Sequence, residues 1–183
     1  MRRRHPEAPR SKHLPRTWLM TDERMGDRLW RALDALPKGS GVIFRHYSLP
    51  SHERRALFAQ VARIAKRRRL LLLRAGREPL GRGADGVHNG HRRDGSLLSR
   101  SVHSQRELVA AIAARADLIF VSPVFATASH PNARTLGPVR AARLASLAPM
   151  PVIALGGMTP HRFKALRSAG FHGWAAIGWW TGN

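Results

Sequence analysis

Apolar residues in this chain come in short runs spaced as buried strands rather than as amphipathic helices. The runs are Trp18 to Thr21, Gly41 to His46, Leu70 to Leu73, Asp85 to His88, Leu97 to His103, Asp117 to Pro123, Pro151 to Leu155 and Gly173 to Ile177. Each is bounded by turn or cap residues and is too short for a helix, so each predicts a strand with both faces covered. The segments between them change period. Asp27 to Leu36 is helix-like and stops at Pro37-Lys38-Gly39. Ser51 is placed to cap a helix reaching about Arg68, with Leu57, Val61, Ile64 and Ala65 on one face. Ser104, with Glu107 at the third helical position, forms a capping box for a helix to about Arg115. Pro138 opens another to about Ala148, and Thr159-Pro160 opens one to Ala169 that ends at Gly170.

Strands alternating with helices in this number predict an α/β fold, a (β/α)8 TIM barrel rather than a doubly wound sheet. The barrel is shortened. Ala75 to Gly83 is too brief and glycine-rich for a helix after the third strand, and no helix is expected after the eighth. Residues 1–16 carry Arg2, Arg3, Arg4, Arg10, Lys12 and Arg16 among Pro6, Pro9 and Pro15, which predicts a disordered basic tail. Residues 17–183 then form the barrel domain. Trp174, Trp179 and Trp180 stand by its uncovered end, either as core filling the rim or as the contact of a homo-oligomer.

Charge alters the expected partners more than the fold. The 32 Lys plus Arg against 11 Asp plus Glu give a formal net charge of +21. A polyanion is an obvious partner class, yet the basic residues are spread along the chain without a zinc-finger, helix-turn-helix or aromatic-basic RNA motif. Nucleic acid is therefore expected only through non-specific charge. The absence of cysteine removes thiolate ligands and thiol nucleophiles. No run approaches the roughly 20 apolar residues of a membrane span, and no apolar signal core opens the chain. A soluble, cytoplasmic protein without a membrane partner is expected. No His-x-x-x-His pair or acidic cluster suggests zinc, and neither a metal nor a cofactor is expected.

The stretch Pro151 to Met158, PVIALGGM, leads a strand into a glycine pair and then into the Thr159-Pro160 helix start. A glycine pair after a strand often only turns the chain. It also lets backbone approach a ligand, and barrels of this kind commonly bind phosphate after strands seven and eight. Location favours phosphate and selects Gly156, Gly157 and, after strand eight, Gly178. His88 and His103 end strands at the same face of the barrel. Alternation along the second strand separates Arg45 from His46 and sends Arg45 to the mouth, where a carboxylate or phosphate suits it.

Several segments together resemble the thiamine-phosphate synthase and thiazole tautomerase superfamily. They are WLMTDER (Trp18 to Arg24), ADGVH (Ala84 to His88), RSVHS (Arg100 to Ser104), ADLIFVSPVFAT (Ala116 to Thr127), PVIALGGM and AGFHGWAAIG (Ala169 to Gly178), in the family's order. The resemblance implies a barrel that binds a phosphorylated thiazole or thiamine-like molecule, with Gly156, Gly157 and the strand-eight end around the phosphate. The departures point within the superfamily. The synthase's glutamine, arginine and lysine along strand two match Ile43, Arg45 and Tyr47. Its Asn-Asp pair after strand three matches Arg74 and Ala75, and its second metal-binding aspartate matches Arg93, beside Asp94. Its Thr-x-Thr-Lys lid matches Thr127, Ser129 and His130, in the loop Phe125 to Gly137. Magnesium requires hard oxygen ligands, so the resemblance is closer to the tautomerase type. In that type the histidine of an RSVHS-like stretch, here His103, moves a proton between carbon and nitrogen of a thiazole ring, work suited to imidazole's ordinary pKa of about 6.5. The implied protein is an isomerase of thiamine biosynthesis. His103 is its catalytic residue, and Arg45, Ser101, Thr127, Ser129 and His130 contact substrate. The alternatives are a thiamine-phosphate synthase, a transferase joining a pyrimidine diphosphate to the thiazole phosphate, and a non-catalytic binder of a phosphorylated metabolite or nucleic acid.

Overall fold

The computed structural model describes residues 14–92, 95–127 and 134–181. The strands are β1 (Thr17–Met20), β2 (Gly41–Phe44), β3 (Leu71–Ala75), β4 (Gly86–His88), β5 (Leu97–Val102), β6 (Leu118–Val121), β7 (Val152–Leu155) and β8 (Gly173–Ala176). All pair in parallel in sequence order and close into a barrel, with Thr17 of β1 opposite Trp174 of β8. The helices are α1 (Arg28–Ala35), α2 (Ser51–Arg68), α3 (Gln105–Ala113), α4 (Gly137–Leu147) and α5 (Pro160–Leu166). The expected (β/α)8 barrel is therefore the fold, and among the described residues no helix lies between β3 and β5.

Alternation on each strand divides the core into an inside and two outer flanks. Trp18, Met20, Ile43, Leu73, Ala75, Leu118, Phe120, Ile153 and Ala175 fill the barrel. Their neighbours Leu19, Val42, Phe44 and Leu72 face α1 and α2, while Ile119, Val121, Val152 and Ala154 face α3 to α5. Trp18 is fully buried and meets Phe120 edge-on at 5.3 Å. A side chain at Gly41 would strike the Trp18 indole, which is why the strand opposite begins with glycine. The floor is tied by Leu14 to Arg16: the Pro15 carbonyl accepts from the Trp18 indole N–H at 2.8 Å, and the Arg16 carbonyl accepts from Trp174 N–H at 2.8 Å. The rest of the expected tail, residues 1–13, lies outside the described residues.

Several expected strands end earlier in the structure, and the residues shed from them form the mouth. Thr21, Arg45, His46, His103, Ser122 and Pro123 all lie beyond the last paired residue. At Thr21 and Ser122 one more backbone bond continues the ladder, to the Ile43 and Val102 carbonyls, and side-chain bonds add to it, as where the Thr21 hydroxyl accepts from Arg45 N–H at 3.0 Å. Helix starts also differ in detail. Ser51 is the first residue of α2 rather than its cap, and Pro50 precedes it without a side-chain cap bond. Ser104 caps α3 as expected, but Glu107 reaches back to the N–H of His103, at 2.5 Å, instead of that of Ser104. Thr159 caps α5 and Pro160 opens it. After β8 a 3-10 turn, Gly178–Thr181, stands where a helix would be. Trp180 stacks there on buried Trp174 at 5.4 Å and donates to the Trp18 carbonyl, whereas Trp179 remains 47% exposed.

Candidate functional site

A cavity of about 350 Å³ opens at the carboxyl ends of the strands. From the expected set it gathers Arg45, Ser101, His103, Thr127, Gly156 and Gly157. Gly178 lies outside it, in an adjoining hollow that shares Thr127, Gly157 and Ile177 with the mouth. Ser129 and His130 lie outside the described residues.

His103 sits just past β5, exposed at the rim. Its Nδ1 is 2.6 Å from the Ser122 carbonyl oxygen, which can only accept, so Nδ1 carries the proton. That leaves Nε2 of the neutral ring with a lone pair. The bond from its own N–H to Glu107 joins the residue to the start of α3. A positioned histidine with one nitrogen anchored and the other available is equipped to take up and return a proton.

Deeper in the mouth, His88 is buried and fully engaged. The Asn89 amide oxygen accepts from Ser101 N–H at 2.9 Å, which fixes the amide so that its Nδ2 donates to His88 Nε2 at 3.2 Å and to Ser101 Oγ at 3.0 Å. His88 Nδ1–H therefore donates to Ser99 Oγ at 2.8 Å. Burial, reinforced by the Arg45 and Arg100 charges, depresses the His88 pKa from 6.5 to about 3, so the ring stays neutral. Its role is to hold Ser101 and Asn89 in the cavity wall. Asn89 and Tyr47 are mouth residues that the sequence reading did not assign to substrate. Asn89 was accessible by rule, since it directly follows a strand end.

The ends of β2 and β3 are tied by arginines. Arg45 donates to the Thr21 carbonyl at 2.7 Å and to Asp22 at 2.9 Å. Hydrogen bonding from Arg24, with Arg24 and Arg45 charge beside it, holds the Asp22 carboxyl down at about 2 against the opposing effect of burial. Arg54, only 4% exposed, donates to the Arg45 and Ala75 carbonyls, both at 2.8 Å, and pairs with Glu78 at 3.1 Å. His46 turns away from the cavity, stacked on Phe44 at 4.8 Å.

The positions that match metal ligands in the synthase do not suit magnesium here. Ala75 faces the barrel interior, and Arg74 bends to the Gly76 and Glu78 carbonyls. Arg93 and Asp94 lie outside the described residues. Among the described residues no cluster of three or more His, Asp or Glu is placed to hold a metal ion.

On the opposite side, Gly156 and Gly157 have φ of +95° and +59°. A side chain on Gly156 would strike Pro123, and one on Gly157 would strike the Ala126 carbonyl. Packing against the loop after β6 thus already demands this glycine pair, and its backbone is bared to the cavity as a result. Gly178 is different, because the space a Cβ would take there is open among the described residues and its φ is not left-handed.

The architecture and this opening define a (β/α)8 barrel with a ligand-sized cavity over its strand ends. A family model described as thiamine monophosphate synthase matches residues 18–179, and the chain belongs to that family. It is 30% identical over 179 residues to a protein of Aquifex aeolicus provisionally named thiamine-phosphate synthase 2, covering 90% of this chain and 96% of that one. A thiamine-phosphate synthase of Thermosynechococcus vestitus is 32% identical over 160 residues, 79% of this chain and 45% of the relative. The barrel superposes on a thiamine phosphate pyrophosphorylase from Pyrococcus furiosus with a TM-score of 0.79 at 20% identity, covering 94% of this chain and 90% of that one. No helix among the described residues is long and apolar enough to cross a membrane.

Proposed function

We propose that the protein binds a phosphorylated thiazole, its ring in the mouth cavity and its phosphate at the Gly156–Gly157 and Gly178 backbone, and that His103 carries out proton transfer on the ring system. The observation that carries this reading is the His103 tautomer: Nδ1–H is committed to the Ser122 carbonyl, and Nε2 remains as the base. The base takes a proton from one position of the ligand and returns it at another, so no co-substrate is consumed. Arg45, Ser101 and Thr127 line the same cavity and orient the ligand. Ser129 and His130 belong to the same proposal through the lid resemblance.

The second reading, synthesis of thiamine phosphate, is favoured by the names of the relatives and by Arg45 just past the end of β2. It meets Ala75 and Arg74 where hard oxygen ligands for a diphosphate-bound cation are required. Two assays on purified protein separate the readings. Isomerisation of the thiazole carboxylate phosphate, abolished in His103→Ala, is the expected result. Thiamine phosphate formation from the pyrimidine diphosphate, thiazole phosphate and magnesium, with isomerisation absent, overturns the first reading in favour of the second.

A further inference from the structure

Two arginine–aromatic stacks stand near the mouth. Arg162 lies 4.8 Å over the Phe125 ring and donates to the Gly157 carbonyl, in the wall of the adjoining hollow. Arg54 lies 5.2 Å from the centre of the Tyr47 ring, and here the aromatic partner lines the mouth cavity itself. The ring has a fixed base, because Arg54 is only 4% exposed and already holds the Arg45 and Ala75 carbonyls. Gly76, at φ of +86°, gives the ring its place, since a Cβ there would come to 3.3 Å from Tyr47 Cε1. The preceding residue, His46, has φ of +40°, a conformation that residues with side chains rarely adopt. It is held there by stacking on Phe44 and by a 3.0 Å hydrogen bond between its Nδ1 and the Thr21 hydroxyl. Strain of this kind persists where the surroundings over-determine it, and it gathers at ligand clamps.

Tyr47 nevertheless remains 55% exposed. The cations beside it are engaged, Arg45 with the Thr21 carbonyl and Asp22, and Arg54 with two carbonyls and Glu78. What this side of the mouth offers a ligand is therefore a positioned flat ring rather than a free charge. Aromatic rings pair with one another beyond the gain from burying their area, through offset or edge-on contact. We infer that Tyr47 is a specificity-determining contact: its ring packs against a planar ring of the ligand, so the mouth selects the phosphate ester of an aromatic ring over that of a puckered, saturated one. The matching position in the synthase is a lysine, which makes this contact a property of the present chain. The inference rests on reading the cavity as the site of a phosphorylated ring.

Isothermal titration of the whole chain with phenyl phosphate and cyclohexyl phosphate tests it. Phenyl phosphate is expected to bind about fivefold more tightly. Burial of hydrocarbon alone predicts the reverse order, because the saturated ring has the larger apolar area. Tyr47→Phe is expected to keep the preference and Tyr47→Leu to lose it. Tyr47 is the chain's single tyrosine, so tyrosine-selective isotope labelling yields one ring spin system, in which a nuclear Overhauser contact with the protons of bound phenyl phosphate is expected. That measurement needs no substitution and decides the matter if the leucine variant fails to fold. Equal affinity for the two esters in the unaltered protein overturns the inference, as does a preference that survives Tyr47→Leu or a bound phenyl phosphate without the Overhauser contact. Loss of the preference in Tyr47→Phe also overturns it, by moving the contact to the hydroxyl. Isomerisation without any aromatic preference removes Tyr47 alone. Aromatic preference with the Overhauser contact, in a protein that does not isomerise the thiazole, leaves Tyr47 standing and removes only the reaction proposed above.

Discussion

The two sides of the barrel mouth employ their polar groups in opposite ways. At the ends of β2 and β3 the groups satisfy one another: Arg54 holds two carbonyls and Glu78, and Arg45 holds a carbonyl and Asp22. At the ends of β5, β7 and β8 they are anchored from behind and face space, as His103 is by Ser122 and Arg162 by Gly157. The basic excess of this chain is therefore two things at once. Some arginines replace packing lost with the helix after β3, and others line a hollow.

The comparison is tested most strongly by exchanging damage between the sides. His103→Ala is expected to lower the isomerisation rate by about 10²–10⁴-fold while leaving the thermal midpoint unchanged. A fall in both would erase the distinction. Arg54→Ala is expected to cost about 3 kcal/mol in urea unfolding, because it leaves the Arg45 and Ala75 carbonyls without their donor beside an arginine only 4% exposed. If instead stability holds and only turnover falls, the β2–β3 side belongs to the chemistry.

The next effect is on pH. His88 has its folded pKa depressed from 6.5 to about 3, so its contribution is intact above pH 6.5 and is lost as pH falls toward 3. In that window the unfolded chain binds the extra proton, which gives a slope of about 1.4 kcal/mol per pH unit. His88→Asn is expected to flatten the slope measured by denaturant titration between pH 6.5 and 4. An unchanged slope would assign the acid sensitivity to other groups. Smallest is Gly178→Ala: no loss of thermal stability and roughly tenfold weaker binding of the phosphorylated ligand by calorimetry. Undiminished affinity would remove the strand-eight end from the site.

The barrel was legible in the sequence because each strand is an apolar run closed by a cap or breaker, and caps such as Ser104 and Thr159 are local devices. That Arg45 and His103 line the mouth was legible for a related reason, since strand alternation and the strand-end rule depend on a few neighbouring residues. Ser51 misled because proline immediately before it takes the cap position. The Asn89 amide and the Arg54 clamp were hidden, since both depend on partners brought together by closure: Ser101 lies beyond a strand turn, and Glu78 lies in a loop where a helix was missing. Arg162 was hidden likewise, because nothing in its helix announces that Phe125 will lie beneath it.

The stack of Trp174 and Trp180 gives the seam of the barrel an optical signature. Trp180 hydrogen-bonds to the first strand while lying flat on an indole of the last, so the two rings remain parallel only while those strands are joined. Coupled indole transitions should produce a near-ultraviolet dichroism band that vanishes as the seam parts. Monitored beside the far-ultraviolet signal of the helices, it reports whether closure is lost before or together with the secondary structure.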